Sequence, residues 1–217
     1  MFHRDYIQRL LEQMAQGLAR ALGLKRAEKY DEARAEIEDL ARRLLGLDLN
    51  LVLGLPDEAV LEWLRAGGTL DSGKCYVLAS LLAEEAEVQE RQGLRESQAI
   101  HAKALRFAME ALLENRDLRT EHRLSTVPAL VQKLDASELP EALRAKLFHY
   151  YETVGDYARA EDTLFQWIEL GSPRVFRMGL DFYRRLLSKS DAELEKGNLP
   201  REEVEEGLTA LGRRTDR

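Results

Sequence analysis

The chain has 217 residues, of which 45% are hydrophobic and 33% are charged, and its formal net charge is −7. This length is enough to bury a core, either as one large domain or as two small ones. With only 14 Gly and 5 Pro, the composition is typical of helical proteins and excludes disordered and collagen-like classes. No basic block stands alone in the sequence, so we expect no nucleic-acid partner.

The cysteine usage and the hydropathy pattern predict a compartment. Cys75 is the single cysteine, so it has no internal disulfide partner, and a lone thiol fits a reducing environment. The start of the chain lacks the apolar stretch of a secretion signal, and no run approaches the roughly 20 apolar residues of a membrane span. We therefore expect a cytoplasmic protein that does not interact with membranes.

The first half of the chain reads as helices with one irregular segment. Apolar residues recur at helical spacing from Tyr6 to Leu22 and again from Ala33 to Leu44, which predicts an N-terminal hairpin over residues 1–46. Residues 47–55 alternate Leu with polar or small residues, as a strand would. Because a lone strand would have no partner, we interpret this segment as a packed loop.

A central helical region is predicted over residues 56–115. It begins with a short helix that starts at Pro56 and is stopped by two glycines, Gly67 and Gly68. Two long helices, over 71–92 and 94–115, then form a second hairpin.

Beyond this hairpin, residues 116–135 are less regular, because Pro128 lies inside a helical pattern and should split or kink it.

The last third of the chain is again helical. Ser137 and Pro140 start a helix that continues to Val154, Gly155 turns the chain, and Asp156 can cap the next helix. This hairpin and the helix that follows it make up a region over 137–188, and a C-terminal helix is predicted over 200–213. Together the elements predict a single all-α domain, 1–217.

Residues 147–164, LFHYYETVGDYARAEDTL, carry a repeat-like pattern. An aromatic residue lies on the first helix, a Gly-x-Tyr turn follows, and a small Ala three residues after the Tyr lets the two helices approach. The pattern resembles one tetratricopeptide repeat. The residues in the repeat-packing roles are Tyr151, Gly155, Tyr157, Ala160 and Leu164.

This resemblance implies an irregular α-α superhelix, that is, an array of helical hairpins of tetratricopeptide-like type. A weaker echo at Tyr30, Ala33 and Ile37 lacks the turn glycine. Over its whole length the chain also resembles a bacterial family of unknown function related to tetratricopeptide proteins, with an MFxxDY-like start and an LPREEV-like end. That family implies no activity.

Residues 68–75 reproduce the glycine and lysine spacing of a phosphate-binding P-loop, but the context contradicts it. Cys75 stands where a Ser or Thr should bind magnesium, and no parallel strand precedes the loop. The favoured interpretation is a double-glycine stop followed by a new helix.

The histidines indicate neither a metal site nor a catalytic base. The four of them are scattered, and none has a second ligand at helical spacing. His149 stands beside two tyrosines, which makes it part of a candidate groove, although packing is the favoured role for the neighbouring aromatic residues. The candidate groove for a partner or ligand consists of His149, Tyr150, Trp167 and Phe182.

The remaining polar features have plain structural interpretations. Cys75 has no nearby histidine to act as its base. The acidic clusters 84–87 and 202–206 are interpreted as solvated helix faces. The first helix differs, because its apolar stripe is widened by Phe2 and Tyr6 at a chain end. A terminal repeat without a polar cap tends to find a partner, so we hypothesise a homodimer through this helix.

These observations favour a non-enzymatic protein–protein interaction scaffold or adaptor, in which helical hairpins form a groove for a protein or peptide partner. The alternative is a small-molecule or peptide sensor that binds its ligand between hairpins. No catalytic, cofactor-binding or metal-binding residues are predicted, since an enzyme site needs converging titratable groups.

Overall fold

The structure, a computed structural model, describes residues 2–94, 96–135, 138–170 and 173–215. Helices make up nearly all of its regular elements, which confirms the predicted all-α class. In chain order the elements are α1 (Phe2–Arg26), α2 (Tyr30–Leu45), α3 (Leu49–Gly54), α4 (Asp57–Trp63), β1 (Arg65–Ala66), β2 (Thr69–Leu70), α5 (Ser72–Arg91), α6 (Ser97–Glu114), a 3₁₀ helix (Arg116–Leu118), α7 (Glu121–Leu124), α8 (Thr126–Val131), α9 (Glu141–Val154), α10 (Tyr157–Glu169), α11 (Pro173–Leu187), α12 (Asp191–Lys196) and α13 (Arg201–Thr215).

The chain folds into two compact units, Met1–Glu138 and Leu139–Arg217. We call them unit 1 and unit 2. In unit 1, α5 packs against α1, α2 and α6. The apolar stripe of α5 is fully buried, with Leu78, Leu81 and Leu82 at 0% exposure. Helix α5 is therefore the central element of unit 1, and the predicted helices over 71–92 and 94–115 correspond to α5 and α6.

Helix α3 replaces the loop predicted over 47–55, so that prediction is wrong. The Asp48 side chain accepts a hydrogen bond from the backbone N–H of Leu51 at 3.1 Å and caps the helix. Leu49 and Val52, three residues apart, are both buried. The Asp48 cap and the burial of one helix face favour a helix here, although the alternating pattern of residues 47–55 is typical of a strand.

A small hairpin interrupts unit 1 where the sequence predicted only the end of a helix. Helix α4 stops at Trp63, and β1 and β2 pair as an antiparallel two-stranded ladder. The two residues of the turn, Gly67 and Gly68, have φ of 61° and 86°. Positive φ at both central residues is what a type I′ hairpin turn requires, and glycine meets it without steric cost.

The same hairpin explains the P-loop-like spacing of glycine and lysine in residues 68–75. Gly68 lies in the turn, and the next helix is capped by Asp71, whose carboxylate accepts from the Lys74 N–H at 3.0 Å. An antiparallel hairpin precedes the helix, where a P-loop would need a parallel strand.

Residues 116–135 form short pieces, as predicted from Pro128. A 3₁₀ helix, α7 and α8 follow one another, and Ser125 separates α7 from α8. Pro128 is the third residue of α8, within the first turn, where its missing N–H breaks no intrahelical hydrogen bond. Helix α8 packs against α6 and buries Val127 and Leu130.

Unit 2 begins with the hairpin of α9 and α10, which occupies the predicted positions. Gly155 ends α9 in the left-handed conformation, with φ of 83°, and Asp156 caps α10. Ala160 and Leu164 are fully buried, and the aromatic rings of Tyr151 and Tyr157 are nearly so. The burial of these residues explains how α9 and α10 pack together. Any helical hairpin that packs in this way would bury the same positions.

The rest of unit 2 consists of α11, α12 and α13, with α11 packed against α10 and α13. The sequence analysis did not predict α12. Its start is fixed by a capping box, in which Ser190 and Glu193 exchange hydrogen bonds with each other's backbone N–H groups. The residue Gly207 on α13 lies against the ring of Tyr183, at a distance that leaves no room for a Cβ atom.

Candidate functional site

A cavity in unit 1 lies between α2, α3 and α5. Its volume is about 200 Å³. Its walls combine charged, amide and apolar groups, which distinguishes it from a packing defect in an apolar core. The lining side chains that matter for its chemistry are Arg34, Glu38, Leu49, Asn50, Leu53 and Glu85.

Helix α2 contributes two of the charged groups. Arg34 and Glu38 are four residues apart and therefore lie on one face of the helix. Glu38 forms an ion pair with Arg42 one turn further on, at 2.9 Å. The guanidinium of Arg42 is 61% exposed, so water screens this pair. The oxygen of Glu38 in this ion pair is Oε1, a buried atom whose contact with Arg42 lacks the geometry of a hydrogen bond.

Helix α3 forms the second wall. The backbone reverses at Gly46, whose φ of 70° closes α2, and α3 starts two residues later. Leu49 anchors this short helix with only 3% of its surface exposed. Asn50 and Leu53 then lie one to four residues further along and complete the wall with one amide and one apolar side chain.

Helix α5 supplies a buried carboxylate, Glu85, which is 3% exposed. Its Oε1 atom accepts two hydrogen bonds, from Arg34 Nε at 2.8 Å and from Gln89 Nε2 at 2.7 Å. No described residue donates to its Oε2 atom.

Next along α5, Lys25 of α1 is buried between two carboxylates. Its Nζ lies 2.6 Å from Glu84 and 2.5 Å from Glu87, and its side chain is 2% exposed. Burial alone would lower the pKa of Lys25, but the hydrogen bonds that its ammonium donates to both carboxylates outweigh burial and raise that pKa. The ammonium is thus held charged inside the helix–helix contact.

These contacts correct the interpretation of residues 84–87 as a solvated face. Glu85 is buried, and Glu84 and Glu87 are bound to Lys25. The other acidic cluster behaves as predicted, because Glu202, Glu203, Glu205 and Glu206 on α13 are exposed.

His101 on α6 is almost entirely buried, at 1% exposure. Neither ring nitrogen has a hydrogen-bond partner among the described residues, and Nε2 lies 3.7 Å from Glu90. Glu90 in turn accepts from Lys133 Nζ at 3.0 Å. Burial lowers the pKa of His101, and the bond from Lys133 lowers the pKa of Glu90.

The predicted groove lies in unit 2, and most of its residues are in the core. Tyr150 is 1% exposed, Phe182 is 0% exposed and Trp167 is 7% exposed. The Phe182 ring meets Phe148 edge-on, with ring centroids 5.3 Å apart. His149 is exposed on the outer face of α9. The structure therefore keeps three of the four side chains away from solvent.

The two other sequence-based candidates lie in unit 1. Cys75 is fully buried, and its Sγ donates to the Phe107 carbonyl at 3.3 Å. Burial raises the pKa of this thiol, which disfavours the nucleophilic thiolate. On α1, the stripe residues Ile7 and Leu10 are buried within the chain, and Tyr6 is 37% exposed. The side chain of Phe2 lies outside the described residues, and the homodimer stays a prediction.

In the part of the chain that the structure describes, no group of three or more His, Cys, Asp or Glu side chains is arranged to hold a metal ion. Across the same residues, no helix is both long and apolar enough to cross a membrane.

Comparison with known proteins places the chain in a family. A family model described as a family of unknown function, DUF6483, matches residues 1–216. The chain belongs to this family. Comparisons with curated proteins and with solved structures gave no match. Membership confirms the expected likeness to a family of unknown function, and it leaves the tetratricopeptide likeness unconfirmed.

Sequence reasoning missed the cavity of this DUF6483 member, although one signal was readable. Glu85 follows Leu81 and Leu82 at spacings of four and three residues, so it falls on the apolar stripe of α5. A carboxylate on such a stripe needs a buried partner. The pairing with Arg34, 51 residues away, has no local sequence signal.

Proposed function

We propose that this DUF6483 member is a non-enzymatic protein-interaction scaffold, and that its partner inserts one side chain into the cavity between α2, α3 and α5. The size of the cavity carries the proposal. Its roughly 200 Å³ is less than the 300–1,000 Å³, approximately, of sites that enclose small molecules. A volume equal to about seven waters suits one long side chain.

The rim and the walls support the same use. Leu51, which follows Asn50 on α3, is 54% exposed and offers an apolar contact on the same helix. The ion pair of Arg34 with Glu85 joins two walls of the cavity through a 2.8 Å contact. A preformed pocket spares the partner part of the ordering cost of binding.

A peptide selection tests the proposal. Random peptides displayed on phage are selected on the full chain, and the selected peptides are synthesised and titrated. Ala35 is exposed at the cavity wall, so Ala35→Trp fills the cavity without disturbing the core. We expect this variant to weaken the selected peptides by about tenfold or more, as loss of an anchoring side chain does.

The matched control is Ala99→Trp, which places the same indole at an exposed site on α6 of the same unit and should leave affinity unchanged. Two results would overturn the proposal. One is a selection that enriches no binding peptide. The other is a set of peptides that bind the Ala35→Trp chain as tightly as the original.

A further inference from the structure

We infer that His101, Glu90 and Lys133 form a pH-operated switch, in which protonated His101 binds the Glu90 carboxylate and Lys133 leaves that carboxylate for water. The switch changes how the turn after α8 is attached to α5. None of its three residues lines the cavity between α2, α3 and α5, so it goes beyond the proposed function and does not depend on it.

The imidazole of His101 is buried without a hydrogen-bond partner. Its side chain is 1% exposed, and neither ring nitrogen has a partner among the described residues. A neutral imidazole ordinarily uses one nitrogen as a donor and the other as an acceptor, and a buried polar group left unmet costs stability. Such a group in a folded chain calls for an explanation, and the carboxylate of Glu90 lies close enough to supply one.

Two nitrogen groups lie beside the same oxygen of Glu90. Its Oε2 atom accepts a hydrogen bond from Lys133 Nζ at 3.0 Å, and His101 Nε2 lies 3.7 Å from that oxygen. A distance of 3.7 Å is too long for a hydrogen bond, so Lys133 holds the carboxylate in this state. A proton on His101 makes both ring nitrogens donors and adds a positive charge beside the same oxygen.

Exposure to water decides which cation keeps the carboxylate. The side chain of Lys133 is 40% exposed, so its ammonium can pass into water at little cost. The buried imidazolium of His101 has no such escape, and a buried charge must be paired. Two cations beside one oxygen also repel each other. The protonated ring therefore moves onto Glu90, and the Lys133 ammonium turns outward.

The charged groups around His101 set the pH at which it takes up its proton. Burial lowers the pKa of His101 by more than Glu90 and Glu87 of α5 raise it, and Lys133 lowers this pKa further. Glu87 is itself paired with Lys25 of α1. The ring is therefore neutral at neutral pH and gains its proton below the ordinary histidine value of about 6.5. The Lys133-bound state is the neutral-pH state of the switch.

Lys133 carries the attachment that protonation changes. It follows α8, and its side chain bonds Glu90 of α5 while its backbone carbonyl accepts from Gln98 Nε2 of α6 at 2.9 Å. Helix α8 itself packs against α6. Protonation of His101 removes the bond to α5 and leaves the contacts with α6. The end of α8 thus stays on α6 but loses this tie to α5.

An NMR titration of the full chain from about pH 7.5 to about pH 5 spans the titration range of histidine and tests the switch. The ring signals of His101 report its protonation, and the ammonium protons of Lys133 report their exchange with water. His101→Leu keeps a buried side chain that cannot take a proton. Once His101 is protonated, we expect the Lys133 protons to exchange about two- to fivefold faster than in His101→Leu at the same pH, the range of an exposed ion pair.

Variants of the two partners should move the His101 proton in opposite directions. Lys133→Met removes the competing cation, so the pKa of His101 should rise. Glu90→Gln removes the attracting carboxylate, so the pKa should fall. Lys29→Met is the control, because Lys29 pairs with Glu32 at the surface of the same unit. It should leave both the His101 pKa and the Lys133 exchange unchanged.

Three results would overturn the inference. One is Lys133 exchange that is the same in the unaltered chain and in His101→Leu at every pH, because Glu90 would then hold both cations. Another is a His101 pKa that is unchanged or lower in Lys133→Met. The third is a His101 ring that stays neutral down to about pH 4, near the ordinary pKa of glutamate. If His101→Leu did not fold, the pKa of His101 in the two partner variants would decide.

Discussion

Helix α5 in unit 1 and helix α11 in unit 2 are both buried, but different contacts hold them. Helix α5 carries a fully apolar stripe that ends in a buried carboxylate and an acidic segment paired with cations from α1 and α2. Helix α11 is held chiefly by apolar and aromatic side chains, with Phe182, Tyr183 and Leu186 at 0% exposure. Its polar contacts are an ion pair of Arg185 with Glu152, in which Arg185 is 51% exposed, and a hydrogen bond from Tyr183 to Glu161.

The difference bears on specificity and on sensitivity to solution conditions. Apolar burial is non-directional and changes little with pH. Buried charges cost desolvation energy that only a well-placed partner offsets, so they favour one arrangement of the helices over others. Unit 1 should therefore respond more strongly than unit 2 to removal of a single charge, and unit 2 more strongly to removal of volume.

The largest expected effect tests the aromatic core of unit 2. Phe182→Ala deletes a fully buried ring that contacts Phe148 and should lower the free energy of unfolding by about 3–5 kcal/mol. Urea unfolding followed by circular dichroism, with hydrogen exchange of α9 to α11, measures it.

The control for Phe182→Ala is Phe165→Ala on α10, which removes a half-buried ring of the same type. It should lower the free energy of unfolding clearly less than Phe182→Ala does. Equal losses from the two variants would contradict the description of Phe182 as a central core residue.

A middle-sized effect tests the ionic contact of unit 1. Lys25→Met keeps the buried stem but leaves Glu84 and Glu87 without their cation. We expect a loss of about 1–3 kcal/mol in the free energy of unfolding. This is below the value for a fully buried pair, because the carboxylates are 25% and 36% exposed.

Lys29→Met provides the matched control for Lys25. Lys29 also forms an ion pair, with Glu32, but its side chain is 54% exposed. Lys29→Met should lower the free energy of unfolding by about 0.5 kcal/mol or less. If urea unfolding gave the same loss for both lysines, the buried position of Lys25 would have no special role.

The smallest expected effect is the pH dependence of unit 1 at His101. Burial lowers the pKa of His101 in the folded chain, and Glu90, Glu87 and Lys133 are the charged groups that act on it. Below the ordinary histidine value of about 6.5, the unfolded chain binds a proton that the folded chain does not. The free energy of unfolding should therefore fall as pH falls from about 6.5.

This fall is measured by urea unfolding at a series of pH values, and His101→Gln should flatten it. An unchanged slope in His101→Gln would show that another group carries the dependence. The titration of His101 itself, followed by NMR, gives an independent reading of the direction of its pKa shift.

Local sequence patterns predicted most of unit 2. Helices α9 and α10 follow from their apolar spacing, from Gly155 at the turn and from the Asp156 cap. Helix α12 escaped prediction although its capping box, Ser190 with Glu193, is legible in the sequence. These elements depend on residues that are close together along the chain, which is the information a sequence displays.

Unit 1 was less predictable because long-range contacts determine its details. The alternation over 47–55 resembled a strand, but burial of Leu49 and Val52 produced a helix. The cavity needs Arg34 and Glu85 to meet across 51 positions of sequence. Spacing on one helix can place a carboxylate on a buried face, but it cannot name the cation that pairs with it.

The buried thiol of Cys75 has a practical consequence for the study of this protein. Cys75 is the only cysteine in the chain, and it lies on α5 with its sulfur bonded to a carbonyl of α6. This thiol can lose its proton to solvent and react with an alkylating reagent only when α5 and α6 separate. The rate at which Cys75 of the unaltered chain is labelled therefore reports how often α5 and α6 separate, and no reporter group has to be engineered.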